Sequence, residues 1–187
     1  MTPTIVVIGT SLGGLAALSV LLKALPRTFP VPIAIVQHRA RVEDSGFERL
    51  LASQSALPVV EANDKDSLDP GRVYVAPSDY HLLLERSSLA LSTAAPASYA
   101  RPSIDVLFES AADAHGASVI GLILTGSNRD GALGCQRIKA RGGRVFVQDP
   151  ATAQSGAMPR AVLAATEVDA VLQLSEVGPH LIRLCCV

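Results

Sequence analysis

Short apolar runs alternate with longer segments of mixed polarity along the chain. The runs are rich in valine, isoleucine and leucine and end in glycine or polar residues, which is typical of buried strands. They occupy residues 5–8, 32–38, 59–61, 118–124, 144–148 and 170–172. Between them, helical segments are predicted at residues 14–25, 47–54, 104–115, 132–140 and 159–165, and from 175 onward. Strands that alternate with helices predict an α/β fold, with a doubly wound, mostly parallel sheet and helices on both of its faces.

One region of the chain departs from this alternation. Residues 72–77 and 81–85 are apolar segments that flank a turn at Ser78-Asp79, and residues 89–91 add a third short segment. Closely spaced segments of this kind predict a short antiparallel hairpin at one edge of the sheet. Residues 92–102, which are small, polar and proline-bearing, are expected to form a mobile surface loop.

Composition narrows the class of protein. With 187 residues, 49% of them hydrophobic, and a mean hydropathy of +0.34, the chain is expected to be a single well-buried domain spanning residues 1–187. The net charge of −1 gives no electrostatic reason to expect nucleic acid or an anionic membrane as a partner. No apolar run reaches the roughly 20 residues of a membrane span, and the N-terminus lacks the charged start of a signal peptide. The three cysteines, two of them adjacent at Cys185-Cys186, form neither a disulfide framework nor a zinc motif, so the cytoplasm is the expected location.

The chain is organised around the glycine-rich turn that follows the first strand. This turn carries one reactive side chain, Ser11, between Gly9 and the pair Gly13-Gly14. A serine on a tight strand-to-helix turn presents its hydroxyl at the end of the sheet, beside the free N–H groups that open the helix. Those N–H groups lie at the positive end of the helix dipole and are able to hold an oxyanion. The pattern therefore favours Ser11 as a nucleophile.

Three other interpretations of the same turn are open. Ser11 is equally suited to cap the helix, because serine is a common N-cap residue. A dinucleotide site is the second, although the glycine spacing departs from G-x-G-x-x-G and the second strand ends in Gln37-His38, where a ribose-binding acid is expected. A nucleotide P-loop is the third, although no Gly-Lys-Ser/Thr sequence follows the turn.

Two further strands end in residues that complement a nucleophile. His38 ends the second strand, and Asp130 lies in the turn after the strand at 118–124. Because parallel strands bring their carboxyl ends to one edge of a sheet, we expect Ser11, His38 and Asp130 to converge there. A hydroxyl, an imidazole and a carboxylate are the groups that acyl transfer requires. Structural alternatives are a hydrogen-bonded strand-end histidine for His38 and a helix N-cap for Asp130.

Four sequence blocks, in a fixed order, together span nearly the whole chain. They are Ile8-Gly9-Thr10-Ser11-Leu12-Gly13-Gly14, then Gln37-His38, then Gly71-Arg72-Val73-Tyr74-Val75-Ala76-Pro77 with His81, and finally Arg101-Pro102-Ser103-Ile104-Asp105-Val106-Leu107-Phe108 continuing through Leu124-Thr125-Gly126 and Asp130-Gly131 to Gly156-Ala157-Met158-Pro159. In these blocks the chain resembles the catalytic domain of the chemotaxis protein-glutamate methylesterases of CheB type. The resemblance covers that domain alone, and we expect no receiver domain within the chain.

The resemblance implies a reaction and the residues that carry it. The nucleophilic serine of the family's G-x-S-x-G-G turn corresponds to Ser11, the basic histidine of its Q-H pair to His38, and the aspartate of its T-G-…-D-G turn to Asp130. The implied reaction is hydrolysis of glutamate methyl esters with release of methanol, and the same chemistry would deamidate glutamine. Backbone N–H groups around Leu12 and Ser127 are the implied oxyanion donors. The resemblance implies no metal and no organic cofactor.

The implied partner is the methylated helical region of a chemoreceptor or a similar signalling protein, with a separate regulatory protein as a further candidate. The resemblance implies neither nucleic-acid binding nor membrane insertion. Arg101 is a candidate contact for an acidic receptor helix, with a structural salt bridge as the alternative.

The chain departs from the family pattern at three places around the implied cleft. Leu12 stands where the family usually has threonine, and residues 127–129 (Ser-Asn-Arg) stand where it has Met-Gly and a variable residue. Residues 39–44 replace the Met-Pro pair that usually follows the histidine. These departures leave two alternatives open, namely a methylesterase-like binding module that has lost turnover and a hydrolase of a different ester.

Overall fold

Within residues 2–39, 46–97 and 99–186, which the computed structural model describes, seven strands form one parallel sheet. In chain order the strands within these ranges are β1 (Ile5–Thr10), β2 (Ile33–Gln37), β3 (Val59–Glu61), β4 (Val73–Val75), β5 (His81–Leu84), β6 (Leu89–Ser92), β7 (Val119–Ile123), β8 (Arg144–Gln148) and β9 (Ala170–Leu172). The sheet has the order β3-β4-β2-β1-β7-β8-β9, and each neighbouring pair is parallel. The fully buried β1 therefore lies at the centre, between β2 and β7.

Helices cover both faces of this sheet in the described part of the chain. They are α1 (Gly14–Ala24), α2 (Phe47–Gln54), α3 (Ile104–His115), α4 (Ala132–Ala140), α5 (Ala157–Ala165) and α6 (Leu174–Cys185). Because side chains alternate along a strand, Ile5 and Val7 of β1 join the apolar cluster formed with α3, α4 and α5. Val6 and Ile8 join the cluster on the opposite face, with α1, α2 and α6. The predicted doubly wound α/β fold is confirmed.

The local patterns also locate most element ends. The helices predicted at 47–54, 104–115 and 132–140 have those bounds in the structure. The fifth helix begins earlier than predicted, at Ala157, so that Pro159 lies inside its first turn, where a missing N–H group breaks no helical hydrogen bond.

The antiparallel hairpin is present but is built differently from the prediction. It consists of β5 and β6, which form a separate two-stranded sheet instead of an edge of the main sheet. It is anchored on α3, where the N–H group of Leu84 donates to the Ser110 hydroxyl at 3.0 Å. The segment predicted at 72–77 is parallel β4, placed between β3 and β2. Its residues, Val73 to Val75, are all buried, and a strand buried on both faces fits an internal position.

The strand order sets the position of the candidate residues. Ser11 follows β1 directly and His38 follows β2 directly, while the turn that carries Asp130 follows β7. Since β1 pairs with both β2 and β7, the three turns emerge side by side at the carboxyl end of the sheet. None of the helices in the described ranges has both the length and the apolar character that crossing a bilayer requires.

Candidate active site

The turn after β1 is held rigidly by its backbone. The N–H group of Ser11 donates to the Thr125 carbonyl at 3.0 Å, and the Ser11 carbonyl accepts from the N–H group of Gly14 at 2.9 Å. Gly13 has a φ of 82°, and a Cβ atom added there would overlap the Gln154 side chain, so glycine is required on both counts. Gly13, and not Ser11, is the N-cap of α1, and no side chain among the described residues caps this helix. The interpretation of Ser11 as a helix cap is therefore wrong.

A side-chain amide connects the first two candidate residues. Gln37, the last residue of β2, is buried, and its Nε2 donates to the carbonyls of Ser11 at 2.9 Å and of His38 at 2.8 Å. The two turns are thereby fixed relative to each other. The imidazole of His38 then lies in the same cleft as the Ser11 hydroxyl. Among the described residues, the Ser11 hydroxyl makes no hydrogen bond, so the structure places these two side chains in one cleft without joining them.

His38 and Asp130 form a direct contact. The Nε2 atom of His38 lies 2.8 Å from Oδ2 of Asp130, whose side chain is completely buried. The same carboxylate accepts three further hydrogen bonds, from the Ser103 hydroxyl at 2.9 Å and from the N–H groups of Ile104 at 2.7 Å and Asp105 at 3.0 Å. Asp130 therefore satisfies the first N–H groups of α3 although it lies in a different turn. It is not the N-cap of its own helix α4, which is Gly131.

These contacts determine the charge of Asp130. Burial alone raises the pKa of its carboxyl group, but the hydrogen bonds from His38 and from the N–H groups of Asp105 and Ile104 outweigh burial and hold the pKa below its usual value. The carboxylate is thus ionised at neutral pH. An ionised carboxylate only accepts hydrogen bonds, so Nε2 of His38 carries the proton that the two groups share.

A second buried carboxylate supports the first from the adjacent helix. Oδ1 of Asp105 accepts hydrogen bonds from the N–H groups of Gly131 at 2.9 Å and Gly134 at 2.8 Å, which open α4. Asp130 thus accepts from the first N–H groups of α3, the helix that contains Asp105. Asp105 accepts from the first N–H groups of α4, the helix that follows Asp130. Burial raises the pKa of Asp105 to about 6, and the nearby charge of Asp130 adds to this effect, although the hydrogen bonds from Gly134 and Gly131 act against it. We refer to Asp105 and Asp130 below as the reciprocal caps.

Two open clefts meet at Ser11 and His38. The larger, of about 910 Å³, extends over α1 and α2 and is bordered by Leu12 and Ser127. The backbone N–H groups of Leu12 and Ser127, the expected oxyanion donors, make no backbone hydrogen bond with the described residues. The smaller cleft, of about 460 Å³, lies against the loop that contains Arg101.

Arg101 borders the smaller cleft, but its guanidinium group is engaged within the protein. It donates to Asp79 Oδ1 from Nε at 2.9 Å, and to the carbonyls of Thr93 and Ala94 at 2.9 and 3.0 Å. These contacts match the structural alternative considered for this residue. They tie the loop before α3 to the turn between β4 and β5.

Several residues with a direct role in this geometry carry no strong sequence signal. Ser103 and Asp105 lie inside a block that resembles a family but shows no pattern for their roles, and Gln37 is distinguished only by its place at the end of a strand. Asn128 is one of the departures from the family pattern, yet its Nδ2 atom lies 2.9 Å from Nδ1 of His38. Of the three departures, Leu12 is half exposed at the cleft, at 51%, whereas residues 40–44 of the third lie outside the described residues. In the described ranges no group of three histidine, cysteine or acidic side chains is placed to hold a metal ion.

Comparison with known proteins identifies relatives of this chain. A family model described as CheB methylesterase matches residues 6–181. A protein from Leptospira interrogans, named putative protein-glutamate methylesterase/protein-glutamine glutaminase, is 44% identical over 180 residues, covering 96% of this chain and 93% of its own length. The protein-glutamate methylesterase FrzG of Myxococcus xanthus is 41% identical over 96% of this chain, which spans about half of FrzG (54%).

The fold has a close counterpart among solved structures. The crystal structure of the Thermotoga maritima CheB methylesterase catalytic domain superposes with a TM-score of 0.94 at 34% sequence identity. The match covers 98% of this chain and 100% of that domain. The shared fold and the sequence matches over nearly the whole of this chain lead to one conclusion: this chain belongs to the CheB methylesterase family.

Proposed function

We propose that this chain hydrolyses the methyl esters of glutamate side chains in a chemoreceptor-like protein and releases methanol. Ser11 is the nucleophile, His38 the general base, and Asp130 the carboxylate that orients the base. The observation that carries the proposal is the buried, ionised Asp130 bound to His38 in the cleft that also contains the Ser11 hydroxyl. Membership in a methylesterase family supports the same assignment.

The contacts around His38 suggest the course of the reaction. Nε2 donates to Asp130, so Nδ1 is the ring nitrogen that takes the proton from Ser11 as the hydroxyl attacks the ester carbonyl. The N–H groups of Leu12 and Ser127 stabilise the oxyanion of the tetrahedral intermediate, and such donors contribute about 3–4 kcal/mol each. Methanol leaves with the proton from Nδ1. Water, activated by the same nitrogen, then hydrolyses the acyl-enzyme to free glutamate.

The substrate segment is a methylated helical region of the partner protein, and the larger cleft offers a surface for it. Exposed apolar side chains border that cleft beside Ser11, namely Leu12, Leu15 and Leu50. A carboxamide carbon undergoes the same attack as an ester carbon, so deamidation of glutamine at the same position follows from the same residues. Regulation by a separate protein is part of the proposal.

The test is methanol release from a methylated receptor fragment. Replacement of the nucleophile, Ser11→Ala, is expected to abolish methanol release because no other group forms the acyl-enzyme. Ser175→Ala, which changes an exposed serine on α6 away from both clefts, is the matched control and is expected to release methanol at the wild-type rate. Equal methanol release by wild type and Ser11→Ala would contradict the proposal.

A binding module without turnover is the second candidate. The observation that favours it is the contact of Asn128 with Nδ1 of His38, which leaves neither ring nitrogen open in this structure. Labelling of Ser11 by a fluorophosphonate separates the two candidates, because only an active triad attacks phosphorus at an appreciable rate. A methyl-ester panel then separates glutamate methyl esters from other esters.

A further inference from the structure

The orientation of the Asn128 side chain is fixed by its two contacts. Its Oδ1 atom accepts a hydrogen bond from the backbone N–H group of Asp130 at 3.2 Å. A backbone N–H group is always a donor, so the oxygen of the amide faces Asp130 and the NH₂ group faces His38. The 2.9 Å contact between Nδ2 of Asn128 and Nδ1 of His38 is therefore a hydrogen bond donated to the ring.

This donor determines the state of the ring. A nitrogen that accepts a hydrogen bond carries no proton, so Nδ1 of His38 is unprotonated in the resting structure. Nε2 carries the ring proton and donates it to Asp130. The imidazole is thus in the tautomer that a general base requires, but the lone pair that would receive the Ser11 proton is already occupied by Asn128.

We propose that Asn128 is a positioning residue that holds His38 in its resting tautomer and covers Nδ1, so that Ser11 loses its proton only after the Asn128 amide has moved away. This inference rests on the proposed function of Ser11 and His38. Asn128 lies in an exposed turn and borders the smaller cleft together with Ser11, His38 and Tyr99. A substrate segment that lies on the larger cleft and extends past Ser11 into this smaller one displaces the amide, whereas a small reagent meets a covered base.

The charged groups around His38 do not take the place of the hydrogen bond from Asn128 to Nδ1. Asp130 occupies Nε2, on the opposite side of the ring. Arg39 lies beside His38 along the chain and donates to the Ala76 carbonyl, and Arg101 donates to Asp79 and to the loop before α3. Asn128 is accordingly the group whose replacement changes access to Nδ1, and it contacts Asp130 only at the backbone N–H group, not at the carboxylate that accepts from His38.

Two substitutions with opposite expected effects test the proposal. Asn128→Ala removes the donor and opens Nδ1. Since a net hydrogen bond of about 1 kcal/mol corresponds to roughly fivefold in rate, labelling of Ser11 by a small fluorophosphonate should be about fivefold faster than in the wild type. Asn128→Asp places a carboxylate oxygen against Nδ1, which favours the protonated ring, so labelling should be slower than in the wild type.

Nitrogen-15 chemical shifts of the His38 ring report the protonation and hydrogen bonding of each ring nitrogen. A purely structural role of Asn128 would not produce the shifts expected below. In the wild type we expect Nδ1 to resonate as an unprotonated, hydrogen-bonded nitrogen. In Asn128→Ala it should remain unprotonated but lose the hydrogen-bond shift, and in Asn128→Asp both nitrogens should resonate as protonated. Folding of each variant is followed in the same spectra.

The outcomes separate this proposal from the proposed function. If Ser11 is labelled in all three proteins but the labelling rate does not decrease in the order Asn128→Ala, wild type, Asn128→Asp, the role of Asn128 is overturned and the triad stays intact. Absence of labelling at Ser11 in all three would overturn both. Labelling in the expected order, with the expected Nδ1 shifts, would support both.

Discussion

The reciprocal caps give a prediction for the pH dependence of stability. Asp105 accepts both of its hydrogen bonds from α4 through one oxygen, Oδ1. An asparagine at this position retains such an oxygen, so Asp105→Asn keeps both helix-capping contacts and removes only the charge. We therefore expect Asp105→Asn to fold, and to differ from the wild type in how its stability varies with pH.

The magnitude follows from the pKa of Asp105. Burial raises this pKa from 3.8 to about 6 in the folded protein. A folded-state pKa above the unfolded value means that the folded state binds the proton more tightly, so the contribution of Asp105 to stability is present below pH 3.8 and is lost as the pH rises toward 6. A difference of about 2 pH units, at roughly 1.36 kcal/mol each, amounts to about 3 kcal/mol. Asparagine does not titrate, so the stability of the variant has no corresponding loss as the pH rises.

Urea denaturation at pH 4.5 and at pH 8 measures this effect. The unfolding free energy of Asp105→Asn relative to that of the wild type should rise by about 2 kcal/mol between the two pH values, because most of the titration lies in that interval. Other titrating groups are common to both proteins and largely cancel. A relative stability that stays constant, or that falls toward pH 8, would refute the assignment of a costly buried charge to Asp105.

Asp113→Asn is the matched control, since Asp113 lies on the same helix but is half exposed. Burial raises the pKa of Asp113, but hydrogen bonds from Arg141 and Arg137 prevail and lower it. The sign is therefore opposite. A carboxylate with a lowered pKa stabilises the protein above its unfolded pKa and loses this contribution as the pH falls. Any pH dependence of the control should run in the reverse direction.

Two further substitutions test the geometry of the site. Asp130→Asn should lower turnover by up to roughly 10⁴-fold. It should also cost about 3 kcal/mol of stability, since an amide NH₂ group would face donors that now meet a carboxylate. A turnover assay measures the first effect and urea denaturation the second. An unchanged stability would contradict the capping role of Asp130. Gln37→Met should remove the bridge between the two turns, because the His38 carbonyl loses the Gln37 donor and the Ser11 carbonyl keeps only the N–H group of Gly14. Fluorophosphonate labelling of Ser11 should therefore be slower, whereas labelling at the wild-type rate would show that the two turns are positioned without Gln37.

The sequence predicts the elements of this protein better than their pairing. The apolar runs that become β1, β2 and β7, and the periodic segments that become α2, α3 and α4, are local patterns, so their positions are recoverable residue by residue. Residues 73–75 show the limit, because an apolar run of three residues fits a hairpin and an internal parallel strand equally well. Its partners, β2 and β3, are separated from it along the chain, and only the assembled sheet selects between the two arrangements.

The candidate site shows the same division. Ser11, His38 and Asp130 were predictable because each follows a strand and because the order of blocks matches a family. The contacts that hold these three residues in place were not predictable from the sequence. The role of Asp105 depends on two helix starts that meet in space, and that of Asn128 depends on the direction of one amide in an exposed turn. Neither contact is marked in the sequence by a periodic pattern or by a characteristic residue spacing.

The reciprocal caps also limit how this site can be transplanted. Asp130 satisfies N–H groups of α3, and Asp105 satisfies N–H groups of α4, so either turn grafted alone into another scaffold would leave buried donors without acceptors. The smallest portable unit is the pair of helix starts taken together. For enzyme engineering, loop exchange at this edge of the sheet therefore has to replace both turns in a single step.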